Sequence, residues 1–351
     1  MTDPLVRGWR DYELTIGMPH MVPNKLSEVE LLKWLGAYQW ESISALLGRK
    51  SHEITSLEKD RLYASFISVE LGFPASRPID AFEEGAKVSV RNRVGVFGRR
   101  FVEGMLLFDC EEIPAAVTEA VVTKDDLARS ERPWAYVTNA FIARAGSNTK
   151  LKIFEPEGMD AAHVPALKSA PVGISEHQSV QASGQMGADA IPAGARPVLP
   201  AGASAEIVYK ISPESDLNGA ALLYFARYVA MMDYGTRRFM SEHLSRPVSS
   251  SLIECLSTEH RRIYYFVNAE PSDSVRIFVQ AWSLPAAPRT AHSKHGRSSL
   301  ARFVFRLDLY RASDGALMAS SLVTKSLNVP DRDKTLVNEA KRFVASLERD
   351  P

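Results

Sequence analysis

Leu26-Ser-Glu-Val-Glu-Leu-Leu-Lys-Trp-Leu-Gly-Ala-Tyr-Gln-Trp-Glu-Ser-Ile-Ser-Ala-Leu-Leu47 decides how this chain is read. Ser27 with Glu30 three residues on has the form of a capping box, the mark of a helix start. Leu31, Leu32, Leu35, Tyr38, Ile43 and Leu46 then recur on broadly one helical face, and Gly48 fits the helix end. The spacing predicts one long helix with an apolar side. Upstream, residues 11–17 alternate apolar and polar as a half-buried strand does. Residues 18–24, with two prolines, read as a loop. Downstream, strands are predicted over 61–71, 86–97, 100–109 and 134–145, with Arg99-Arg100 at a turn between two of them.

From residue 165 to 204 the chain is rich in Ala, Gly, Ser, Gln and Pro and poor in large apolar residues. Such a run reads as a flexible linker. Beyond it the order of elements starts again. A strand is predicted at 205–211 and a long apolar helix over 220–243, opened by Asp216-Leu-Asn-Gly219. Strands follow at 251–257, 261–270, 274–284, 299–311 and 316–326, and a closing helix at 333–347. Local text echoes this order. Leu26 to Leu32 lies over Leu217 to Leu223, an offset of 191 residues, and Phe66 to Glu70 lies over Phe266 to Glu270, an offset of 200. Duplication of one α+β unit is the economical reading. A long helix wrapped by an antiparallel sheet, twice over, describes a double hot dog. The expected division is an N-terminal hot-dog domain over 1–164, the linker over 165–204 and a C-terminal hot-dog domain over 205–351.

Composition narrows the function classes. At 351 residues two domains are the default. Forty-two Lys and Arg balance 42 Asp and Glu, so no basic excess speaks for nucleic acid. Cys110 and Cys255 alone cannot make a disulfide framework or a four-ligand zinc site, which fits a reducing compartment. The start, Met1-Thr-Asp-Pro-Leu-Val-Arg, lacks the pattern of a signal peptide, and no run approaches the ~18–20 apolar residues of a membrane helix. The expectation is a cytoplasmic protein with no membrane partner.

The first turn of a long helix offers free N–H groups and a positive dipole end, which can polarise a carbonyl. That places the first candidate site between His20 and Glu28. His20 is a candidate acid or substrate contact, with a structural loop histidine as the plainer reading. Asn24 can position a substrate carboxylate or stabilise a turn, and the turn is favoured. Asp216 and Asn218 approach the second helix, where an N-cap role for Asp216 is favoured. Trp34, Trp40, Tyr224 and Phe225 read as core. No phosphate-loop or nucleophile-elbow motif occurs. His292 and His295, with no neighbouring cysteine or carboxylate cluster, read as an exposed loop rather than a metal site. The expected chemistry therefore uses no metal and no cofactor.

Gly17-Met-Pro-His-Met21, Leu26-Ser-Glu-x-Glu-Leu-Leu-Lys-x-x-Gly36, Trp40, Arg61-Leu-Tyr-Ala-Ser-Phe66 and Asp216-Leu-Asn-Gly-Ala-x-Leu-Leu-Tyr-Phe225 together resemble the LnmK family. These are bifunctional acyltransferase/decarboxylases of polyketide biosynthesis, and the resemblance spans most of the chain outside 165–204. It implies a double hot dog in which a tyrosine accepts the acyl group of methylmalonyl-CoA. The acyl unit loses CO2 and passes to an acyl carrier protein. The matching tyrosine is Tyr63. On a strand, Arg61 and Ser65 share its face. An adjacent guanidinium favours a phenolate nucleophile and an adjacent hydroxyl can donate to it. Arg-x-Tyr is also common on plain solvated strand faces. The candidate site is thus Tyr63 as nucleophile, with His20, Asn24, Arg61 and Ser65 for substrate. The expected partners are acyl-CoA (malonyl or methylmalonyl) and a carrier protein, with a homodimer as a further candidate. Two alternatives stand beside it. One is a hot-dog thioesterase or dehydratase using Asp216 or Glu70 to activate water. The other is a non-catalytic module that binds acyl carriers.

Overall fold

The computed structural model describes residues 9–144, 146–159, 164–200, 202–244, 246–285 and 296–347. His292 and His295 lie outside them. Ten main strands form one antiparallel sheet: β1 (Arg10–Thr15), β2 (Tyr63–Gly72), β3 (Lys87–Phe97), β4 (Phe101–Asp109), β5 (Trp134–Arg144), β6 (Ala205–Lys210), β7 (Leu256–Tyr265), β8 (Ser274–Leu284), β9 (Arg297–Arg311) and β10 (Leu317–Pro330). Their order is β1-β3-β4-β5-β2-β7-β10-β9-β8-β6. Two short strands, Leu151–Ile153 and Arg196–Pro197, add to β5 and β8. Read outward from the β2–β7 seam, both halves give the same sequence of strands. Duplication is therefore built into the topology.

The register sharpens this. β2 is bulged at Ile67 against β5, and β7 is bulged at Glu259 against β10. The spacing between halves is 192 residues. The echo at 191 falls beside it, but Leu217 to Leu223 is a bridged loop ahead of the helix and not its first turn. The echo at 200 does not hold: Phe66 corresponds to Thr258, while residues 266–270 follow the end of β7. Apolar and β-branched residues recur in both stretches without sharing a structural position.

The helix α1 (Glu28–Leu47) runs as its sequence predicts and buries Leu31, Leu32, Leu35, Ile43 and Leu46. Only half of the capping box forms. Ser27 Oγ accepts the Glu30 N–H at 3.3 Å, while Glu30 turns to Lys33 Nζ at 2.7 Å. Glu28 and Glu30 still complement the positive end of the helix. The second central helix, α3 (Phe225–Arg238), starts later than expected. Asn218 Oδ1 accepts the N–H groups of Ala220 and Leu222, at 2.9 and 3.1 Å, so its side chain competes with helix formation. After Arg238 the chain continues as a π-turn, Phe239–His243.

The two central helices cross in opposite directions on the inner face. Gly36 receives the ring of Phe225, and a Cβ there would meet it at 2.7 Å. Phe225 in turn stacks on Phe66, with centroids 4.1 Å apart, and meets Trp40 edge-on.

The 165–204 stretch is not a plain linker. It carries α2 (Val172–Ser183), which lies over the outer face of the seam. Gly173 presses on Ser68 and Thr138. Glu176 accepts the Tyr264 hydroxyl at 2.7 Å, and His177 shares a hydrogen bond with the Tyr265 carbonyl at 2.8 Å. Val180 and Met186 pack on Tyr264. In the C-terminal half, Ser250–Ile253 is a short helix capped by Ser249, so the strands expected at 251–257 and 261–270 are one strand, β7. The closing helix α4 (Lys334–Leu347) seats Phe343 on Phe303. Among the described residues, no helix is long and apolar enough to cross a membrane.

Candidate functional site

Tyr63 opens β2. The next residue, Ala64, faces the helices, and its carbonyl accepts Trp40 Nε1–H at 2.8 Å. Phe66 faces the same way, onto Phe225. Strand alternation therefore turns Tyr63 and Ser65 to the outer face of the sheet. There the Arg61 guanidinium lies 5.0 Å from the centre of the Tyr63 ring, within cation–π range. Tyr63 pairs across the strands with Ile142, which pairs on its other side with the 46 % exposed Ile153. The expected grouping of Arg61, Tyr63 and Ser65 on one half-buried face is what the fold builds. That face points away from α1, so the dipole of α1 does not serve Tyr63.

His20 and Asn24 sit elsewhere. His20 Nδ1 accepts the Gly17 N–H at 2.8 Å, and its ring meets Trp34 edge-on at 4.2 Å. Asn24 occupies the turn of a small hairpin, Met21–Val22 with Lys25–Leu26, at φ 69°. Pro-Asn with positive φ at the second residue is type II turn chemistry. Its carbonyl accepts from Arg297 at 3.1 Å. Among the described residues, no hydrogen bond or ring contact joins either residue to Tyr63.

A second group lies at the N-terminal end of α1, where the sequence placed a candidate site, with partners for Glu28 that the sequence did not disclose. Glu28 is gripped by Arg261 through two nitrogens and accepts the Thr258 hydroxyl at 2.7 Å. Arg261, 1 % exposed, also reaches Asp233 of α3 at 2.9 Å. Lys325 Nζ meets the same Asp233 oxygen at 2.9 Å. The side chain of Asp233 is 38 % exposed and forms the open edge of the cluster. Burial would raise its pKa, but Lys325 and Arg261 outweigh burial and hold it at about 2. Lys25 donates to the carbonyls of Glu254 and Leu256; burial, with Lys325 nearby, lowers its pKa to about 8.

The duplication shows how unusual this group is. The pair before the bulge is Phe66–Asn139 in one half and Thr258–Lys325 in the other. Val69 of β2 corresponds to Arg261 of β7. One inter-repeat contact is aromatic, built from Phe66, Phe225 and Trp40. The other is charged. Buried charges cost several kcal/mol each unless they are paired, and each charge of the cluster has its partner within it.

The chain matches no protein-family model and no curated protein sequence. Among solved structures it resembles an acyl-ACP thioesterase from Bacteroides thetaiotaomicron, with 12 % identity, TM-score 0.50, and coverage of 90 % of this chain and 97 % of that one. It also resembles a protein described as an oleoyl thioesterase from Lactobacillus plantarum, with 10 % identity, TM-score 0.52, and coverage of 92 % and 97 %. A third likeness is to the 12:0-ACP thioesterase from Umbellularia californica, with 11 % identity, TM-score 0.50, and coverage of 91 % and 97 %. The chain is a double hot dog.

Within the double hot dog the two carboxylates expected to activate water are both engaged. Asp216 is fully buried. It accepts from the Ser212 N–H at 2.8 Å and from the Tyr209 hydroxyl at 3.1 Å, and pairs with Arg227 at 2.9 Å. It therefore anchors the approach to α3 rather than capping it. Glu70 lies on the outer face at the seam between the hot dogs, with His260 at 2.8 Å, Lys124 at 2.5 Å and Arg262 at 3.5 Å. Burial pushes its pKa up, but the His260 hydrogen bond and the two cations prevail and hold it at about 2. A carboxyl that acidic is a poor general base at neutral pH. No three His, Cys, Asp or Glu side chains among the described residues converge as a metal site.

Proposed function

We propose that this double hot dog is an enzyme of acyl thioester metabolism that transfers an acyl group through Tyr63. The observation that carries the reading is the Arg61 guanidinium 5.0 Å from the Tyr63 ring on an accessible sheet face. The resemblance of Arg61-Leu-Tyr-Ala-Ser-Phe66 to the LnmK family supports the same residue. In this scheme the Tyr63 oxygen attacks the thioester carbonyl of malonyl- or methylmalonyl-CoA. The C–S bond breaks, and CoA leaves with the phenolic proton. The acyl ester then loses CO2, and the electron pair of the broken C–C bond moves into an enolate. Arg61 is the nearby cation that offsets this charge, in place of a helix dipole. A proton reaches the enolate carbon, and the thiol of an acyl carrier protein displaces Tyr63 to form the product thioester. The scheme uses no cofactor beyond the CoA thioester and operates in the cytosol.

Intact-protein mass spectrometry after mixing with malonyl-, methylmalonyl- and succinyl-CoA tests the scheme. A covalent adduct short by CO2 is expected, and none for Tyr63→Phe. A Tyr63→Phe protein that loads the carrier at the wild-type rate would sink it.

A second reading is hydrolysis of an acyl thioester, supported by the likeness of the fold to proteins described as thioesterases. Rapid release of free acid from acyl-CoA without a carrier protein, unaffected by Tyr63→Phe, would select this reading.

A further inference from the structure

We propose that the end of the sheet around Tyr63 is a docking surface for a protein with an acidic face. Its purpose rests on the transfer reading above, in which a carrier protein must bring its thiol to Tyr63; its placement rests on charge. The chain as a whole is neutral, with 42 cations and 42 anions, but at this end of the sheet several cations stand on one outer face without a carboxylate partner. Arg61 lies over Tyr63. Arg144 ends β5, two residues beyond Ile142, the cross-strand neighbour of Tyr63. Arg99 and Arg100 form the turn between β3 and β4. Lys168 follows Leu167, whose side chain lies on Gly95 of β3. All five are exposed. Arg99 pairs with Glu155 at 3.2 Å. Among the described residues no carboxylate pairs with Arg61, Arg100, Arg144 or Lys168. Arg49 and Lys59 are met by Glu157, Lys152 beside Ile153 is a further exposed cation, and the exposed carboxylates Glu58 and Asp60 precede Arg61 in the chain.

The spacing says what kind of anion fits. Gly95 and Tyr63 stand three strands apart (β3, β4, β5, β2), which is roughly 14 Å at ~4.8 Å per strand. Donors that clasp one phosphate must all lie within hydrogen-bond reach of its oxygens. Cations spread over the width of four strands match the face of a protein instead. Exposed Ile153, beside Ile142, adds an apolar contact within the charged ring, the usual arrangement of an interface centre and its rim. Charge complementarity of this kind sets encounter rate and orientation.

The test is equilibrium binding, which needs no turnover. The full chain is titrated with a phosphopantetheinylated acyl carrier protein as the acidic probe, and separately with free CoA. Arg100→Glu/Arg144→Glu is expected to weaken carrier binding at least tenfold and to flatten its salt dependence. CoA binding and formation of the Tyr63 adduct should stay unchanged. Arg100→Gln/Arg144→Gln should lose about half as much binding free energy, and urea midpoints should confirm that both variants fold. Carrier binding unchanged in the charge-reversed variant would overturn the proposal. So would a parallel fall in CoA affinity, which would mark phosphate recognition, or a wild-type chain that ignores the carrier at low salt. Charge-dependent binding without any Tyr63 adduct would sink the transfer reading and leave the docking face standing.

Discussion

Glu70 and Arg262 stand directly opposite each other across the β2–β7 seam, and Arg262 Nε lies 3.5 Å from Glu70 Oε2. At the 192-residue spacing of the two bulges, Arg262 is the repeat equivalent of Glu70. The pair therefore marks the pseudo-twofold axis, and a like-charged pair that strict symmetry would impose has become an ion pair.

Glu70 ties stability to pH. Its carboxyl would titrate near 4.5 in the unfolded chain and titrates at about 2 in the folded one. The folded state thus keeps its charge while the unfolded state takes a proton. The stabilisation is complete above pH 4.5 and is lost as pH falls towards 2. Glu70→Gln is expected to cost on the order of 3 kcal/mol at pH 7, from about 1.4 kcal/mol per pH unit. The cost should shrink steadily below pH 4.5. Urea unfolding at pH 7 and pH 3 measures it, and an equal cost at both would refute the assignment.

The charged cluster at α1 should fail asymmetrically. Arg261→Leu strands Glu28 without its partner and should cost about 3–5 kcal/mol. Changing Glu28 to Leu as well should recover much of that loss, although Asp233 still loses a neighbour. A double-mutant cycle by urea denaturation reads the coupling. Additive losses would mean the pair is not energetically linked.

The helix crossing at Gly36 leaves no room for a side chain. Gly36→Val is expected to lower stability by about 1–3 kcal/mol, because the ring of Phe225 must move. Phe225→Leu should relieve part of that penalty in the double variant. Thermal melts of the four proteins decide it, and a Val substitution without effect would mean the ring relocates freely.

Arg61 should matter for rate and not for folding. Arg61→Gln removes an exposed cation, so its unfolding free energy in urea should stay within about 0.5 kcal/mol of wild type. Single-turnover loss of CO2 from the Tyr63 adduct should slow about 10²-fold, the usual scale for losing one electrostatic partner of a developing oxyanion. Unchanged decarboxylation would remove Arg61 from that role.

What the sequence disclosed followed the range of the forces involved. α1 was legible because its cap, its first-turn acids and its apolar spacing all lie within 22 residues. The Pro23-Asn24 turn was legible for the same reason. α2 was not, because it covers a polar sheet face: Glu176 and His177 hold it through hydrogen bonds, so it needs little apolar density. The late start of α3 turned on the side chain of Asn218, whose bonds compete with the helix. The end of α1 was marked by the sequence, but the partners of Glu28 there were out of reach. Glu28 and Arg261 are 233 positions apart, and nothing near either residue announces the other. Tyr63 and Arg61 were readable because strand periodicity alone puts them together.

The matched bulges at Ile67 and Glu259 carry a historical consequence. An irregularity repeated at the same point of both halves is most simply inherited from a single ancestral unit, one that already bent its seam strand before the gene was doubled. That ancestor had to be a self-complementary pair, since its seam edge would otherwise stand open to aggregation. Thr258, Arg261 and Lys325 break the pattern at residues where two identical chains would have to agree. Joining the two copies covalently is what freed one inter-repeat contact to take on charge while the other stayed aromatic.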